Sequence, residues 1–461
     1  MLDRGSRGGK GPQTPDSVHL AQGVSRHMRR LAIAACIILS LSSSSAQAQL
    51  RGHGGPVRAL AISPDGKTAI SGSFDQTAIV WSLARQAAEQ VLRFHDGAVN
   101  AAVLLADGRA ATAGEDGRIA IWRFGREEPD AVLEGHSAPV VALAVSPDGA
   151  SIASASWDRT VRVWPLAGGV GGGGGAPRVL EGHAQNVNAV AFLPDGRVVS
   201  AGYDASVRIW SAAAPAEAPN IITLPTPLNA VAVAPDGEIL AAGADGRVHL
   251  LRPGGEPNGE IEAQATPIIA VAVSSDGKLV AASGIRGSVA IIDRASRKLV
   301  RTLVGPGLPV WSLAFFADNR TLLTGGTDRM IRRWDAETGE QFGAIALGGP
   351  EDPLAAFAGD RGAEVFRACV ACHTLRPEEE NRAGPTLYGI FGRHIAVVPG
   401  YRYSEAFRQL DIVWTPETVA RLFELGPATF TPGTKMPEQR IGLAEDRAAL
   451  LEFLARATKP K

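Results

Sequence analysis

The sequence predicts a multidomain chain in which an all-β region is followed by an all-α region. Residues 49–347 repeat one pattern of short, alternating apolar segments seven times, and such alternation is typical of β-strands. After residue 347 the repeat stops and apolar residues recur at helical spacing. The 461 residues also exceed the ~250–300 that a single hydrophobic core usually serves.

The first 48 residues are interpreted as a signal peptide with an N-terminal extension. Arg29 and Arg30 precede an apolar run over residues 31–41, and Ala-Gln-Ala at 46–48 offers small residues for cleavage. This run, like every later one, is shorter than the ~20 apolar residues that cross a bilayer. We therefore expect a periplasmic protein, exported in a bacterium, with no transmembrane span once the leader is removed.

Three alternatives for this segment stay open. The leader could be retained as an anchor, or cut before Cys36, where Ile33 to Cys36 weakly resembles a lipoprotein site. The chain could also start at Met28. Cleavage after residue 48 removes Cys36 and leaves two cysteines, which excludes a cysteine-rich disulfide framework. With 46 basic and 47 acidic residues, the composition indicates no nucleic-acid partner.

The β region contains a tight turn that recurs every 40 to 47 residues. In each copy an aspartate separates two alternating segments, as VRALAIS and TAISGS flank Asp65, and this is typical of a β-hairpin. Repeats of this length indicate a β-propeller, here with seven blades of four strands, because a closed ring leaves no open sheet edge. The turn aspartates are Asp65, Asp107, Asp148, Asp195, Asp236, Asp276 and Asp318.

Further recurring residues make this region resemble the WD40 family. A histidine opens four repeats, a tryptophan closes five, and an aspartate precedes the third strand in six. The resemblance implies a structural hydrogen bond between histidine and aspartate within a blade. Repeats five and six lack histidine and tryptophan, so we expect weaker ties there. The residues are His53, His95, His136 and His183; Trp81, Trp122, Trp164, Trp210 and Trp334; and Asp75, Asp116, Asp158, Asp204, Asp245 and Asp328.

Two other segments of the β region carry predictions. A glycine-rich insertion at 168–175 is interpreted as a flexible loop, because no Lys-Ser/Thr pair or helix follows it as in a phosphate-binding loop. Residues 340–347 alternate over the length of a strand. They are predicted to form the outer strand of blade seven, so that the N-terminus is not needed to close the ring.

We expect a linker at 348–358 and a helical domain at 359–461. One helix is predicted to run from Gly359 into the cysteine pair, and a second to start at the N-cap Thr415 with Pro416 in its first turn. Residues 444–457 form an amphipathic pattern that predicts a third.

The segment FRACVACHTL contains both remaining cysteines, Cys369 and Cys372, followed directly by His373. A structural zinc ion needs four ligands, and the chain has no second cysteine pair. A redox dithiol would be expected in a thioredoxin-like βαβ unit, which is absent from the pattern. Cys-x-x-Cys-His is the attachment signature of c-type haem, in which the histidine ligates the iron. We therefore predict one haem c, bound covalently through Cys369 and Cys372.

The second axial ligand is predicted by elimination. Electron-transfer haem usually takes methionine or histidine there, and the C-terminal region offers Met436 and His394. Met436 lies between Pro432 and Pro437, in a loop that these prolines stiffen. We predict Met436 as the iron ligand together with His373, and the alternative is that Met436 only fills space.

The segment from residue 359 to 459 resembles class I cytochrome c of the mitochondrial type. The matching stretches are CVACHT, AGPTLYGIFGR, PGYRYSEA, VW and TPGTKM. The resemblance implies that Pro385 accepts a hydrogen bond from His373. It also implies that the haem propionates are surrounded by Arg393, Tyr403, Trp414 and Thr434.

The same segment departs from that family in two ways. Phe407 and Leu422 replace polar groups near the methionine, so we expect a drier methionine side. The family's docking lysines are missing except for Lys435, and glutamates occupy 378–380. Docking to a partner is therefore not expected to follow the mitochondrial pattern.

These predictions combine into an exported monohaem cytochrome that transfers single electrons. The propeller would serve as a scaffold that binds a redox protein partner. The alternative is an oxidoreductase whose substrate binds in the propeller and whose electrons leave through the haem. Against it, residues 49–347 show no catalytic cluster by spacing, so no catalytic residue is assigned and enzyme activity stays an open alternative.

Overall fold

The computed structural model describes residues 49–166, 175–211, 217–305, 307–342, 354–370, 372–377, 381, 384–401, 403, 405–432, 434, 436 and 439–460. The predicted leader, most of the glycine-rich insertion, the segment 343–353 and the glutamates at 378–380 lie outside these ranges. Among the described residues, no helix is long and apolar enough to cross a membrane.

The β region is a seven-bladed propeller, as predicted, and each blade is a sheet of four antiparallel strands. Blade one is β2 to β5, and each following set of four strands forms the next blade. The strands of the first four blades are β2 Val57–Ile62, β3 Thr68–Ser73, β4 Thr77–Ser82, β5 Ala87–Arg93, β6 Val99–Leu104, β7 Ala110–Gly114, β8 Ile119–Trp122, β9 Ala131–Leu133, β10 Val140–Val145, β11 Ser151–Ser156, β12 Val161–Pro165, β13 Arg178–Leu180, β14 Val187–Phe192, β15 Val198–Gly202, β16 Ser206–Trp210 and β17 Asn220–Thr223.

Blades five to seven continue in the same order, except at the outer edge of blade seven. Their strands are β18 Leu228–Val233, β19 Ile239–Gly243, β20 Arg247–Leu251, β21 Pro257–Glu262, β22 Ile268–Val273, β23 Leu279–Gly284, β24 Ser288–Asp293, β25 Lys298–Val304, β26 Val310–Phe315, β27 Thr321–Gly326 and β28 Met330–Asp335. The second strand of each blade is buried on both faces, because neighbouring blades pack against it.

The outer edge of blade seven contains a strand that precedes β2 in the chain, so the prediction that the N-terminal side is not needed to close the ring was wrong. Strand β1, Gln49–Arg51, pairs antiparallel with Met330–Arg332 of β28. The segment predicted for this place lies beside the end of β28 as far as it is described: Gln341 bridges to Trp334, and Phe342 N donates to Arg333 O at 2.9 Å. Its residues 343–347 lie outside the described ranges. Three residues are enough to close the ring, because β1 pairs with the backbone groups at the start of β28. The first strand of the propeller is thereby joined to its last strand.

Hydrogen bonds between side chains stabilise each of blades one to four internally, in the way that the WD40 resemblance implies. In blade one, His53 Nδ1 lies 2.9 Å from Asp75 Oδ2 and His53 Nε2 lies 2.8 Å from Ser71 Oγ. Trp81 Nε1 donates to the same hydroxyl at 2.7 Å. The equivalent histidine pairs are His95 with Asp116, His136 with Asp158, and His183 with Asp204.

Blades five and six carry ties that the sequence patterns did not predict. In blade five His249 comes from the third strand itself, and its Nε2 lies 2.8 Å from Asp245 Oδ2. In blade six the Gln264 amide donates to Ala282 O at 2.7 Å and accepts from Ser288 Oγ at 3.0 Å. In both blades another side chain therefore forms hydrogen bonds in place of the missing histidine. The expectation of fewer hydrogen bonds in these blades did not include this possibility.

The described residues after 353 contain one 3-10 helix and five α-helices. Helices α3 and α5 match their predictions: Thr415 caps α3, and Leu450, Phe453 and Leu454 are buried on α5. The helix before the cysteines was predicted too long, because α1 ends at Phe366. The elements are the 3-10 helix Ala355–Phe357, α1 Arg361–Phe366, α2 Glu405–Arg408, α3 Pro416–Leu425, α4 Pro427–Phe430 and α5 Ala444–Ala457.

Helices α1 and α5 form the base of the C-terminal region. A side chain at Gly362 would place its Cβ 2.1 Å from Ala449 O, so only glycine allows this close helix contact. Phe453 packs its ring 5.4 Å from that of Phe366. The two helices thereby hold the start of the cysteine segment against α5.

Candidate cofactor site

The cysteine segment leaves α1 in a series of tight turns. Asp360 caps α1 by accepting from Ala363 N, and the helix ends six residues later. Cys369 N donates to Phe366 O at 2.7 Å, and the amides of Cys372 and His373 donate to Cys369 O at 3.1 and 2.9 Å. These turns bring both thiols and the imidazole into one small region.

Both thiols are buried and neither forms a disulfide. Burial raises the pKa of the Cys369 thiol to about 12, so the group is a neutral thiol at physiological pH. In the part of the chain that the structure describes, no three His, Cys, Asp or Glu side chains are grouped to hold a metal ion.

The imidazole of His373 is fixed by the backbone. His373 Nδ1 lies 2.7 Å from Pro385 O, and because a carbonyl oxygen only accepts, Nδ1 carries the proton. In the neutral form of the ring Nε2 is then the atom that can bind a metal. A Cβ at Gly384 would lie 2.4 Å from Cε1 of the ring, so glycine is required beside it.

These groups line one mostly apolar cavity. Its empty space, including the part open to solvent, is about 1210 Å³. The cavity is mostly apolar and is provided with two thiols and a nitrogen ligand, so the residues fit a covalently bound haem. All nine residues predicted for the cofactor line it: Cys369, Cys372, His373, Pro385, Arg393, Tyr403, Trp414, Thr434 and Met436.

The two candidate axial ligands differ in exposure. Met436 is half-buried and packs with the core of the C-terminal region. Its backbone N–H donates to Thr434 Oγ1 at 3.1 Å, which fixes the loop from within. The His394 side chain is 62% exposed and lies 3.9 Å from Asp411. Met436 is therefore the more buried of the two side chains that line the cavity.

A polar group lies at another part of the cavity. Arg393 donates to Tyr388 O and Thr386 O, both at 2.8 Å. Burial lowers the pKa of Arg393, and nearby Tyr403 acts in the opposite direction. Tyr403 stacks on Phe407 with ring centroids 5.6 Å apart. Arg393 thus provides a partly desolvated positive charge beside an otherwise apolar cavity.

Blade one also contributes to this site, which no sequence pattern had indicated. Val91, on the outer strand β5, lines the cavity. Arg93 Nη2 donates to Met436 O at 2.5 Å, and Gln439 Nε2 donates to Gly52 O at 2.9 Å. Strand β5 alternates like any other outer strand, so its sequence carries no signal of this contact.

Comparison with known proteins matches a family of repeats to the propeller. The family described as "WD domain, G-beta repeat" matches the chain at five segments of the propeller. These are residues 44–82, 127–165, 175–211, 220–250 and 297–335.

Three relatives match a region of about 100 residues. "Cytochrome c" of Cochliobolus lunatus is 40% identical over 100 residues, 22% of this chain and 92% of that protein. "Cytochrome c" of Arabidopsis thaliana is 40% identical over 100 residues, 22% of this chain and 88% of the relative. "Cytochrome c2" of Blastochloris viridis is 40% identical over 95 residues, 21% of this chain and 74% of the relative. Through this region of about 100 residues, the chain belongs to the cytochrome c family.

Proposed function

We propose that this protein is an exported monohaem c-type cytochrome that transfers single electrons, with the propeller as a scaffold for a redox partner. The observation that carries the proposal is the convergence of the Cys-x-x-Cys-His segment, Met436 and the other predicted residues on one cavity. The family resemblance supports a class I cytochrome c domain from residue 359 onward. The predicted leader supports export to the periplasm.

Each residue has a definite part in holding the cofactor. The thiols of Cys369 and Cys372 would hold a haem covalently as thioethers. His373 would bind the iron through Nε2, and Pro385 O keeps the imidazole oriented. Met436 would provide the second iron ligand from its loop. A haem bound in this way would supply one-electron chemistry through its ferric and ferrous states.

The walls of the cavity determine how charge is stabilised there. Phe407 and Leu422 add apolar side chains to its lining. Arg393 offers its positive charge to propionates, with Tyr403 and Trp414 beside it. The thioether of Met436 favours ferrous iron. An apolar wall acts in the same direction, because it disfavours the extra charge of the ferric state.

The haem proposal is tested on the full chain, produced with a c-type maturation system. We expect one iron per chain and a haem that stays with the polypeptide after denaturation. The Cys369→Ser/Cys372→Ser double variant should lose this covalent haem, while exposed Ser296→Ala should keep it. An absence of haem in the parent would contradict the proposal. A further cofactor in the purified protein would favour the oxidoreductase alternative.

Export is tested by the mature N-terminus. We expect periplasmic protein that begins at Gln49, since cleavage is proposed after Ala48. A chain that starts at Met28 in the cytoplasm, or a lipid-modified Cys36, would contradict this part of the proposal without affecting the haem site.

Gly384→Ala should disturb the proximal ligand. The added Cβ would lie within 2.7 Å of two imidazole atoms of His373, so the ring must move away from Pro385 O. We expect a cost of about 1–3 kcal/mol and a reduced yield of haem protein, measured by thermal unfolding and haem absorbance. Gly442→Ala is the matched control, because nothing lies within 4 Å of its Cβ. Unchanged haem yield in both variants would contradict the prediction.

Arg93→Ala should loosen the loop that carries Met436. The variant removes the hydrogen bond from blade one to Met436 O. The iron–sulfur bond should therefore break at a lower temperature than in the parent. When the pH is raised above neutrality, the bond should also break at a lower pH than in the parent. The charge-transfer band of methionine-ligated ferric haem reports this directly. Arg85→Ala is the control, because Arg85 also lies beside β5 but pairs with Glu89. Equal behaviour of the two variants would show that blade one does not hold the loop.

A further inference from the structure

A β-bulge in every blade brings one residue into the central channel. The register between the first and second strands shifts at the same place seven times, as between Val57 and Ala59. A bulge leaves one extra residue unpaired and re-aims its side chain. All seven extra residues line the channel: Arg58, Asn100, Val141, Asn188, Asn229, Ile269 and Trp311.

Arg58 is the one charged residue among the described residues that line this channel. Its guanidinium lies 4.9 Å from the centroid of the Trp311 ring. Over the described part of the chain it forms no ion pair and no side-chain hydrogen bond, although burial lowers its pKa. A partly buried cation without a counter-charge carries a desolvation cost, which a ligand of opposite charge would offset.

The surroundings of Arg58 are rigid and offer one positive charge. The amides of Asn188 and Asn229 each donate to a carbonyl of the following blade at 2.8 Å, which fixes their orientation. Stacking on Trp311 leaves the edge of the guanidinium free to donate two parallel hydrogen bonds. These two parallel donors on one positive group match a carboxylate in geometry and charge. A doubly charged phosphate would need further hydrogen-bond donors.

Aromatic side chains occupy three of the seven equivalent turns at the mouth of the channel. Phe74, Trp157 and Tyr203 occupy the same turn in three blades, and they are 46%, 42% and 41% exposed. Phe74 lies 6.5 Å from Trp311, and Trp157 Nε1 donates to Asn188 Oδ1 at 3.1 Å. This rim therefore continues directly into the charged part of the channel.

Exposed aromatic residues around an arginine are the composition of interface hot spots. A small molecule held at Arg58 would leave the rim in contact with water. A protein segment with apolar side chains on both sides of an acidic one would cover the rim and neutralise the arginine.

We propose that the channel mouth binds an aspartate or glutamate side chain within an apolar segment of a partner protein. That this partner is a redox protein rests on the proposed function. The site itself depends only on the propeller.

The probe is the peptide acetyl-Ala-Leu-Glu-Leu-Trp-amide, compared with its Gln analogue by calorimetry on the full chain. We expect the Glu peptide to bind at least about tenfold more tightly, a difference that should fall with added salt. Arg58→Gln should abolish this preference, and Trp157→Ala should weaken both peptides. Arg85→Gln is the control, because it removes an exposed arginine outside the channel.

Equal binding of both peptides, or an unchanged preference in Arg58→Gln, would overturn the proposal. N-acetylglutamate that binds as tightly as the Glu peptide would also overturn it, in favour of a small-molecule carboxylate site. The measurement needs no haem, and repeating it on the Cys369→Ser/Cys372→Ser chain separates it from the proposed function. A parent chain that carries no haem but keeps the Glu preference would refute the cytochrome proposal alone.

Discussion

Met436→Ala is expected to keep haem covalently attached while lowering its reduction potential and opening the iron to carbon monoxide. The covalent bonds come from Cys369 and Cys372, which the substitution does not touch. The thioether favours ferrous iron, so its loss stabilises the ferric state relative to the parent. It also leaves one axial position to water or small ligands. Redox titration and carbon monoxide difference spectra measure the two effects.

His394→Ala is the matched control for this experiment. His394 lines the same cavity, but its side chain is largely exposed, so the variant should keep the parent's potential and spectrum. If Met436→Ala binds no carbon monoxide and His394→Ala does, the assignment of the second ligand is wrong and His394 takes that role.

Asp75→Ala is expected to destabilise the propeller more than any other single substitution considered. The buried carboxylate of Asp75 lies 2.9 Å from His53 Nδ1 and accepts from Gly54 N at 2.8 Å and from the Thr77 hydroxyl at 2.6 Å. Its removal leaves these donors buried without a partner. We expect a loss of about 3–5 kcal/mol, measured by denaturant unfolding.

Asp65→Ala is the control for this loss. Asp65 accepts similar turn hydrogen bonds from Ser63 Oγ and Lys67 N, but it lies at the surface, where water replaces the lost partner. We expect less than about 1 kcal/mol there. Similar decreases in the free energy of unfolding for both variants would mean that burial of the Asp75–His53 interaction adds nothing to stability.

Low pH should weaken the same hydrogen bonds of Asp75. Burial by itself would raise the pKa of Asp75, but the charge and hydrogen bond of His53 lower it below the ordinary value. A lowered folded pKa means that the carboxylate stabilises the fold above the unfolded pKa of ~3.9. That stability is lost as the pH falls below this value towards the folded pKa. Between pH 5 and ~2 the free energy of unfolding should therefore decrease less in the Asp75→Ala variant than in the parent.

Much of the fold could be predicted because its signals are local. The hairpin turn around Asp65 and the capped helix that starts at Pro416 both depend on residues within a few positions of each other. The ties in blades five and six were missed for the same reason. His249 and Gln264 do not stand where the repeat places histidine, and only the packed blade shows which carboxylate or carbonyl each one reaches.

The sequence by itself determined the number of repeats, the change from strands to helices and the residue types around the cofactor cavity. Tertiary structure alone decided that β1 closes blade seven, that Arg93 reaches a carbonyl 343 residues away, and that Arg58 lies in the channel. Spacing along the chain encodes short-range structure through backbone geometry and alternation. Contacts between distant segments instead follow from how the ring closes and where its edges meet the C-terminal region, and no local pattern specifies that arrangement.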